Sequence, residues 1–222
     1  MIKTKFCGYG GMADTLDLGS SPKGCRFNSC YPHQIKRVDM QLVLVTKENL
    51  MEAYKIQKEI FPDSPDYLFL KRAVQSQDKA LNHYLAYDGE KVVGITGTYV
   101  EEIDKDSIWL SWFGVLPKER SKGYGRKILE ETQKICKTLP YKFFRCYTTS
   151  SYNASALPLY DSFYTISEKY ENEDDETYDN TTIIYSSSLC KEKVPYWENK
   201  YIGIKEYDEL SQEGEEFIAS LE

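Results

Sequence analysis

A basic, glycine-rich segment in the middle of the chain carries residue types that bind phosphate groups. Residues 115–126 read VLPKERSKGYGR, with Arg120, Lys122 and Arg126 around Gly123 and Gly125. The sequence predicts that a strand ends here and that a helix begins directly after the loop. The first main-chain amides of a helix have no partner within it, and the helix dipole places partial positive charge there. Because glycine lacks a Cβ, the backbone can lie close to an anion, so the segment predicts a phosphate-binding loop.

Two common phosphate-binding motifs do not fit this loop. The dinucleotide fingerprint needs a third glycine where Ile128 stands, and the P-loop signature is absent from the chain. The alternative is an ordinary strand-to-helix turn with basic residues on its surface, and a lone Gly-x-Gly pattern favours that interpretation. The residues around the loop are therefore needed to distinguish a phosphate-binding loop from an ordinary turn.

Two segments in the right order and separation resemble a known family. Residues 120–125 (RSKGYG), after a Val-x-Pro strand end, are similar to motif A of the GCN5-related N-acetyltransferases, the GNAT family. Residues 153–160 (NASALPLY) resemble the family's late motif, which precedes its penultimate strand. The resemblance covers residues 40–189.

The resemblance implies an acetyl-CoA site and the residues that form it. The loop would hold the pyrophosphate through main-chain amides, and the end of the preceding strand would pair with the pantetheine arm. That strand would separate from strand 143–148 to open a slot. Asn153 would contact the arm, and Tyr160, the catalytic residue, would protonate the departing thiolate. The implied acetyl-CoA-binding residues are Phe113, Gly114, Val115, Arg120, Ser121, Lys122, Gly123, Tyr124, Gly125, Arg126 and Asn153; no metal is implied.

The late motif also departs from the family pattern. Tyr164 and Thr165 stand where the family usually has a Gly-Phe pair, and Pro158 lies inside the predicted helix, which should therefore begin late or kink. The general base is unassigned because strand 107–113 has no central acid. Glu101 and Glu102 are candidates, with solvated surface carboxylates as the alternative; a base that acts through water and an amine that arrives already neutral also stay open.

Periodicity predicts strands that alternate with helices around the loop. Asp88-Gly89 favours a two-residue hairpin turn. The predicted strands are 41–45, 83–87, 91–100, 107–115, 143–148, 165–170 and 181–187, and the predicted helices are 46–60 with Thr46 as N-cap, 66–77, 123–139, 153–163 and 206–221. This alternation predicts an α/β (α+β) fold. The resemblance implies the GNAT fold, a mixed central sheet of about six to seven strands with helices on both faces.

Charge divides the 222 residues into three zones. Residues 1–38 hold six basic and two acidic side chains, residues 39–167 hold 17 of each, and residues 168–222 hold 5 basic and 16 acidic. We expect a non-domain leader (1–39), an acetyltransferase domain (40–189) and an acidic extension (190–222), which could be a solvated face, a lid or a homodimer element.

The leader could be translated from a neighbouring gene. Residues 11–14 and 26–29 can be encoded by codons that match parts of transfer RNA genes. We therefore hypothesise that the leader is a read-through of a neighbouring transfer RNA gene and that the natural protein starts at Met40.

The remaining signals narrow the function class. Cys7, Cys25, Cys30 and His33 lack the spacing of a zinc site. His83, the single histidine of the central zone, is expected to be structural. Net charge −7 and the lack of a long apolar run predict a cytoplasmic protein that binds neither nucleic acid nor membrane. We expect the thiols of Cys136 and Cys146 to be buried in the core. The aromatic side chains of Tyr99, Trp109, Trp112 and Tyr152 could face a substrate cleft, with a place in the core as the alternative.

The leading expectation is an acetyl-CoA-dependent N-acetyltransferase that acts on a primary amine of a small molecule or protein by direct attack. Starting at Met40, the chain would hold 22 basic and 32 acidic side chains, which favours a cationic amine. A non-catalytic acyl-CoA sensor on the same fold is the alternative, and an RNA-associated protein with a basic N-terminus is a third.

Overall fold

The computed structural model describes residues 40–62, 67–76, 80–101, 103–150, 154–171 and 181–198. The predicted leader and the predicted helix 206–221 lie outside the described residues. The strands are β1 (Met40–Leu44), β2 (Asn82–Asp88), β3 (Lys91–Tyr99), β4 (Ser107–Val115), β5 (Phe143–Thr149), β6 (Ile166–Glu171) and β7 (Thr181–Ser188). The helices are α1 (Leu50–Ile60), α2 (Tyr67–Gln75), α3 (Tyr124–Cys136) and α4 (Leu157–Phe163), with a 3₁₀ turn at Pro117–Glu119.

The described strands form one mixed sheet with helices on both faces, which confirms the predicted fold class. The order is β1-β2-β3-β4-β5-β7-β6, where β4 and β5 pair in parallel and the other neighbours are antiparallel. Side chains alternate between the two faces of a strand. Leu85 of β2 therefore packs with α1 and α2, whereas Ala86 packs with Ile128 of α3.

Three predicted element boundaries were wrong by a few residues. Helix α1 begins at Leu50 rather than after Thr46, because the Asn49 side chain closes a turn: its Oδ1 accepts the Thr46 N–H at 2.7 Å. Asp88 pairs with Lys91, so the hairpin loop is Gly89-Glu90, with Gly89 at φ +61°. Helix α3 ends at Cys136 rather than at residue 139.

The proline in the late motif has the predicted effect. Helix α4 begins at Leu157, later than the predicted residue 153, and Pro158 occupies its first turn. A proline is tolerated there because the first amides of a helix have no intrahelical acceptor.

A segment after β7 completes the core on the face of the sheet opposite α3. Trp197 is 1% exposed and packs with Trp109 of β4 and Ile184 of β7. Val194 is buried as well. Packed residues therefore continue beyond Leu189, the predicted end of the domain. The domain limits themselves stay predictions.

Candidate active site

A cavity of about 610 Å³ lies where the end of α1, the second half of β4, the loop before α3 and the start of α4 meet. Its lining residues are Ile60, Phe61, Pro62, Phe113, Gly114, Val115, Glu119, Arg120, Ser121, Gly123, Tyr124, Gly125, Arg126, Ser155, Ala156 and Leu159. The cavity thus joins the basic loop to the strand that the sequence placed beside it.

Residues 123–126, at the beginning of α3, line this cavity. Gly123 is the N-cap at φ +81°, and the Lys127 N–H makes the first intrahelical bond, to the Gly123 carbonyl at 3.4 Å. The amides of Tyr124 and Gly125 precede that bond, so they lie in the part of a helix that binds anions. A Cβ on Gly125 would lie 3.0 Å from Cδ2 of Leu159, so glycine lets α4 approach α3.

The basic side chains of the loop are held by partners within the chain. The Arg120 Nε donates to the Val115 carbonyl at 3.2 Å, and the Arg126 Nη2 donates to Ser162 Oγ at 2.6 Å. Lys122 does not line the cavity; its Nζ lies 3.0 Å from a carboxylate oxygen of Glu119.

Glu119 and Tyr124 anchor the loop to the β2–β3 hairpin. Glu119 is 5% exposed and accepts hydrogen bonds from Lys91 and Lys122, which hold the pKa of its carboxyl below the usual value. The Tyr124 hydroxyl donates to Asp88, and that bond raises the pKa of Tyr124 to about 12. These contacts fix the loop in front of the α3 amides.

Strands β4 and β5 separate beside the cavity. Within 103–150, all of which the structure describes, their pairing covers Ser107–Trp109 and Phe143–Arg145 and then stops, although both strands continue. We call the opening between the unpaired parts of β4 and β5 the slot. The strands therefore separate as the resemblance implied.

A bulge where β4 pairs with β3 changes the direction of the β4 backbone, in the part of β4 that no longer pairs with β5. Ile95 pairs with Gly114 and Gly97 with Ser111, so Trp112 and Phe113 both oppose a single residue of β3. Trp112 has φ +39°, a conformation that is strained for a bulky residue. The bulge directs Phe113 toward α4, where its ring lies 6.0 Å from that of Tyr160, and Trp112 toward α1, where its ring is 5.2 Å from that of Phe61.

Tyr160 lies behind the cavity wall rather than on it. It is 5% exposed, and its ring packs on Tyr185 at 5.4 Å and on Tyr164 at 6.1 Å. Burial raises the pKa of its hydroxyl well above the usual value. Asn153, the other predicted residue of the late motif, lies outside the described residues.

Sequence reasoning missed the cavity wall that α1 contributes. A Cβ on Gly114 would overlap Ile60, and Phe61 lies next to it, so the end of α1 packs directly on the backbone of β4. The glycine in an otherwise bulky strand was the available signal, because glycine within a strand often marks a close approach of another segment.

Three other candidate residues, Trp109, His83 and Cys146, are buried in the core and do not line the cavity. Trp109 is fully buried in the core, and the cation over its ring at 6.0 Å is the chain's own Arg145. Burial lowers the pKa of His83 to about 3 and raises that of Cys146 to about 12, so neither group is charged at neutral pH. Tyr152 and Glu102 lie outside the described residues, and the general base stays unassigned.

Family membership follows from the comparison with known proteins. The profile of the acetyltransferase (GNAT) family matches residues 47–163, more than half of the chain. The chain belongs to the GNAT acetyltransferase family. No curated protein sequence matches the chain. Among the described helices, none has the length and apolar character needed to span a bilayer.

Solved structures of this family share the fold at low sequence identity. Spermidine N-acetyltransferase from Vibrio cholerae, in complex with CoA and spermine, has a TM-score of 0.55 at 12% identity and covers 68% of this chain and 95% of its own. The ribosomal-protein-S18-alanine N-acetyltransferase of Escherichia coli has 0.52 at 18%, covering 73% and 99%. The protein yncA of Salmonella typhimurium, proposed as an acetyltransferase and solved with its cofactor acetyl-CoA, has 0.54 at 16%, covering 71% and 98%.

Proposed function

We propose that this protein transfers an acetyl group from acetyl-CoA to a primary amine of a small molecule or protein by direct attack. The observation that carries the proposal is the cavity that joins the start of α3 to Phe113, Gly114 and Val115, which lie in the part of β4 that no longer pairs with β5. An anion site beside an unpaired strand edge suits a long ligand with phosphates at one end and amide groups along its arm.

The chain's residues fit such a ligand in two parts. The amides of Tyr124 and Gly125, with Arg120 and Arg126 beside them, would hold the pyrophosphate. The backbone from Phe113 to Val115 would pair with the pantetheine arm along the edge that β5 leaves free. Asn153, Ser121 and Lys122 complete the proposed set, although Lys122 would act from beside Glu119 rather than from the cavity wall.

The reaction needs orientation and proton transfer more than a nucleophile from the enzyme. The amine nitrogen forms a bond to the thioester carbonyl carbon, the carbon–sulfur bond breaks, and the amine loses a proton. A main-chain amide of β4 would polarise the carbonyl, as in an oxyanion hole. Tyr160, the tyrosine of the late motif, would donate its hydroxyl proton to the departing thiolate; its ring lies 6.0 Å from that of Phe113, in the part of β4 that lines the cavity.

Two observations support an amine acceptor that carries positive charge. The solved relatives include a spermidine N-acetyltransferase with bound spermine and an enzyme for a ribosomal-protein alanine. Residues 168–222 of this chain hold 16 acidic and 5 basic side chains, which attract cations to that end of the protein.

Calorimetry on a matched pair of glycine variants tests the phosphate site. Gly123→Glu brings a carboxylate to the start of α3, and like charges about 4 Å apart repel by about 4 kcal/mol near a protein surface, so we expect at least roughly 100-fold weaker acetyl-CoA binding. Gly89→Glu is the control, because Gly89 also has positive φ and open space around it but lies in the β2–β3 turn. Equal affinities for the two folded variants would contradict the assignment.

A thiol-release screen with acetyl-CoA tests the activity itself. Polyamines, aminoglycosides, amino acids and peptides with free amines are the acceptors to compare. Release that depends on one of these classes supports the transferase. Tight acetyl-CoA binding without release across the whole panel would favour the acyl-CoA sensor instead.

A further inference from the structure

Arg145 is a fully buried cation at the centre of the sheet. Its side chain is 2% exposed and lies on the face of β5 opposite α3. The Nε donates to Asp104 Oδ2 and to Ser107 Oγ, both at 3.0 Å, and the Nη1 donates to Ser186 Oγ at 2.6 Å. The guanidinium therefore links β5 to the beginning of β4 and to β7.

The same guanidinium holds the segment that follows β7. Its Nη2 donates to the Pro195 carbonyl at 3.2 Å, and its carbon lies 5.6 Å from the ring centre of Trp197. The Glu168 carboxylate of β6 accepts the Trp197 N–H at 2.7 Å and the Glu198 N–H at 3.1 Å. Residues 194–198, which we call the docked segment, are thus fixed by one buried cation and one nearly buried anion. They lie outside the part of the chain that the family profile matches.

The position of Arg145 relates this cluster to the slot. Trp109 and Arg145 form the last pair between β4 and β5, and beyond them the strands separate. The hydrogen bonds of Arg145 toward β4 end at Asp104 and Ser107, on the paired side of this level, so the guanidinium holds the two strands together at the point from which they separate. The planar guanidinium donates in several fixed directions at once, which a flexible ammonium group cannot reproduce.

We propose that Arg145 is a positioning residue: together with the docked segment it sets the separation of β4 and β5, and so the width of the slot that receives the pantetheine arm. The inference rests on the proposed function, because it concerns the same ligand. Arg145 acts through the strand backbones and does not contact the ligand. The phosphate end of the site, at α3, is anchored separately through Glu119 and Tyr124.

Calorimetry with two ligands separates this role from general stabilisation. The ligands are acetyl-CoA, which has the arm, and adenosine 3′,5′-bisphosphate, which lacks it. The variants are Arg145→Met, which keeps the bulk of the side chain, and Ser186→Ala, which removes one bond to the guanidinium. Ser187→Ala is the control, because Ser187 is also buried in β7 but its Oγ accepts the Thr165 N–H at 3.3 Å instead.

We expect Ser186→Ala to weaken acetyl-CoA binding by about fivefold, the effect of one hydrogen bond, and Arg145→Met by at least about tenfold. Binding of the bisphosphate should stay within about twofold in every folded variant, and so should both affinities in Ser187→Ala. Equal weakening of both ligands, or unchanged acetyl-CoA binding in Ser186→Ala, would overturn the proposal, and Ser186→Ala keeps this test open if Arg145→Met does not fold. Wild-type protein that binds neither ligand would contradict the proposed function instead.

Discussion

His83 gives the protein a pH-dependent stability that can be worked out from its surroundings. The imidazole is 1% exposed, stacks edge-on against Phe69 at 5.2 Å and lies over Gly97. Within the described residues neither ring nitrogen has a hydrogen-bond partner. Burial without a partner disfavours the imidazolium, which is why the pKa falls from 6.5 to about 3.

The sign and size of the effect follow from these two values. In the unfolded chain the group takes up a proton below pH 6.5, whereas in the folded protein it stays neutral until about pH 3. Its contribution to stability is therefore complete above pH 6.5 and is lost as the pH falls. Each pH unit below 6.5 costs about 1.4 kcal/mol, so moving from pH 7 to pH 5 should lower the free energy of unfolding by about 2 kcal/mol through this residue alone.

Urea denaturation of the wild type and His83→Gln at pH 7 and pH 5 measures this contribution. Glutamine is polar but does not titrate, and every other ionisable group, including His33, is common to both proteins. The wild type should lose about 2 kcal/mol more than the variant between the two pH values. Equal losses would show that His83 is hydrogen-bonded or charged in the folded protein and would refute the argument.

Three further changes test the site and the fold. Tyr160→Phe should lower turnover by about tenfold or more while acetyl-CoA affinity stays within about twofold, and Tyr164→Phe, which removes the neighbouring buried hydroxyl, should change neither; steady-state kinetics and calorimetry would detect a deviation. Gly94→Ala should lower the free energy of unfolding by about 1–3 kcal/mol, because the new Cβ would overlap the main-chain oxygen of Gly114, and an unchanged urea midpoint would contradict this. Glu168→Gln should expose Trp197 to solvent, seen as a red-shifted fluorescence spectrum, and cost about 2 kcal/mol; a wild-type spectrum would count against the docked segment.

The elements around the loop could be predicted because local sequence determines them. Strand β4 matches its predicted limits, and apolar residues at helical spacing located α3, whose buried positions include Ile128 and Leu129. The misplaced start of α1 shows where local reasoning ends. Thr46 is an acceptable N-cap, but the Asn49 side chain also bonds to the Leu44 carbonyl at 3.1 Å, and that competing turn delays the helix.

The candidate site was predictable only where the proposal assigns main-chain atoms to it. A glycine-rich loop before a helix marks where the helix begins, and the unpaired main-chain amides lie in its first turn. The sequence therefore located the start of α3. Side-chain roles depend on partners far along the chain. Glu119 accepts a hydrogen bond from Lys91, 28 residues before it, and Trp109 meets Arg145 and Trp197, which follow it by more than 30 residues. A local sequence pattern carries no information about contacts between residues so far apart in the chain. The sequence therefore could not decide which aromatic side chains face a cleft and which fill the core.

The short pairing of β4 with β5 bears on how the folded protein opens to solvent. Strands β1 to β4 form one group of antiparallel neighbours in chain order, whereas β5, β7 and β6 form a second antiparallel group. Amide hydrogens in the middle of a sheet normally exchange slowest, because only global unfolding exposes them. Here the two groups meet over three residue pairs. The groups should therefore behave as two cooperative units, and amide exchange along the slot should proceed by local opening at the centre of the sheet rather than at its edges.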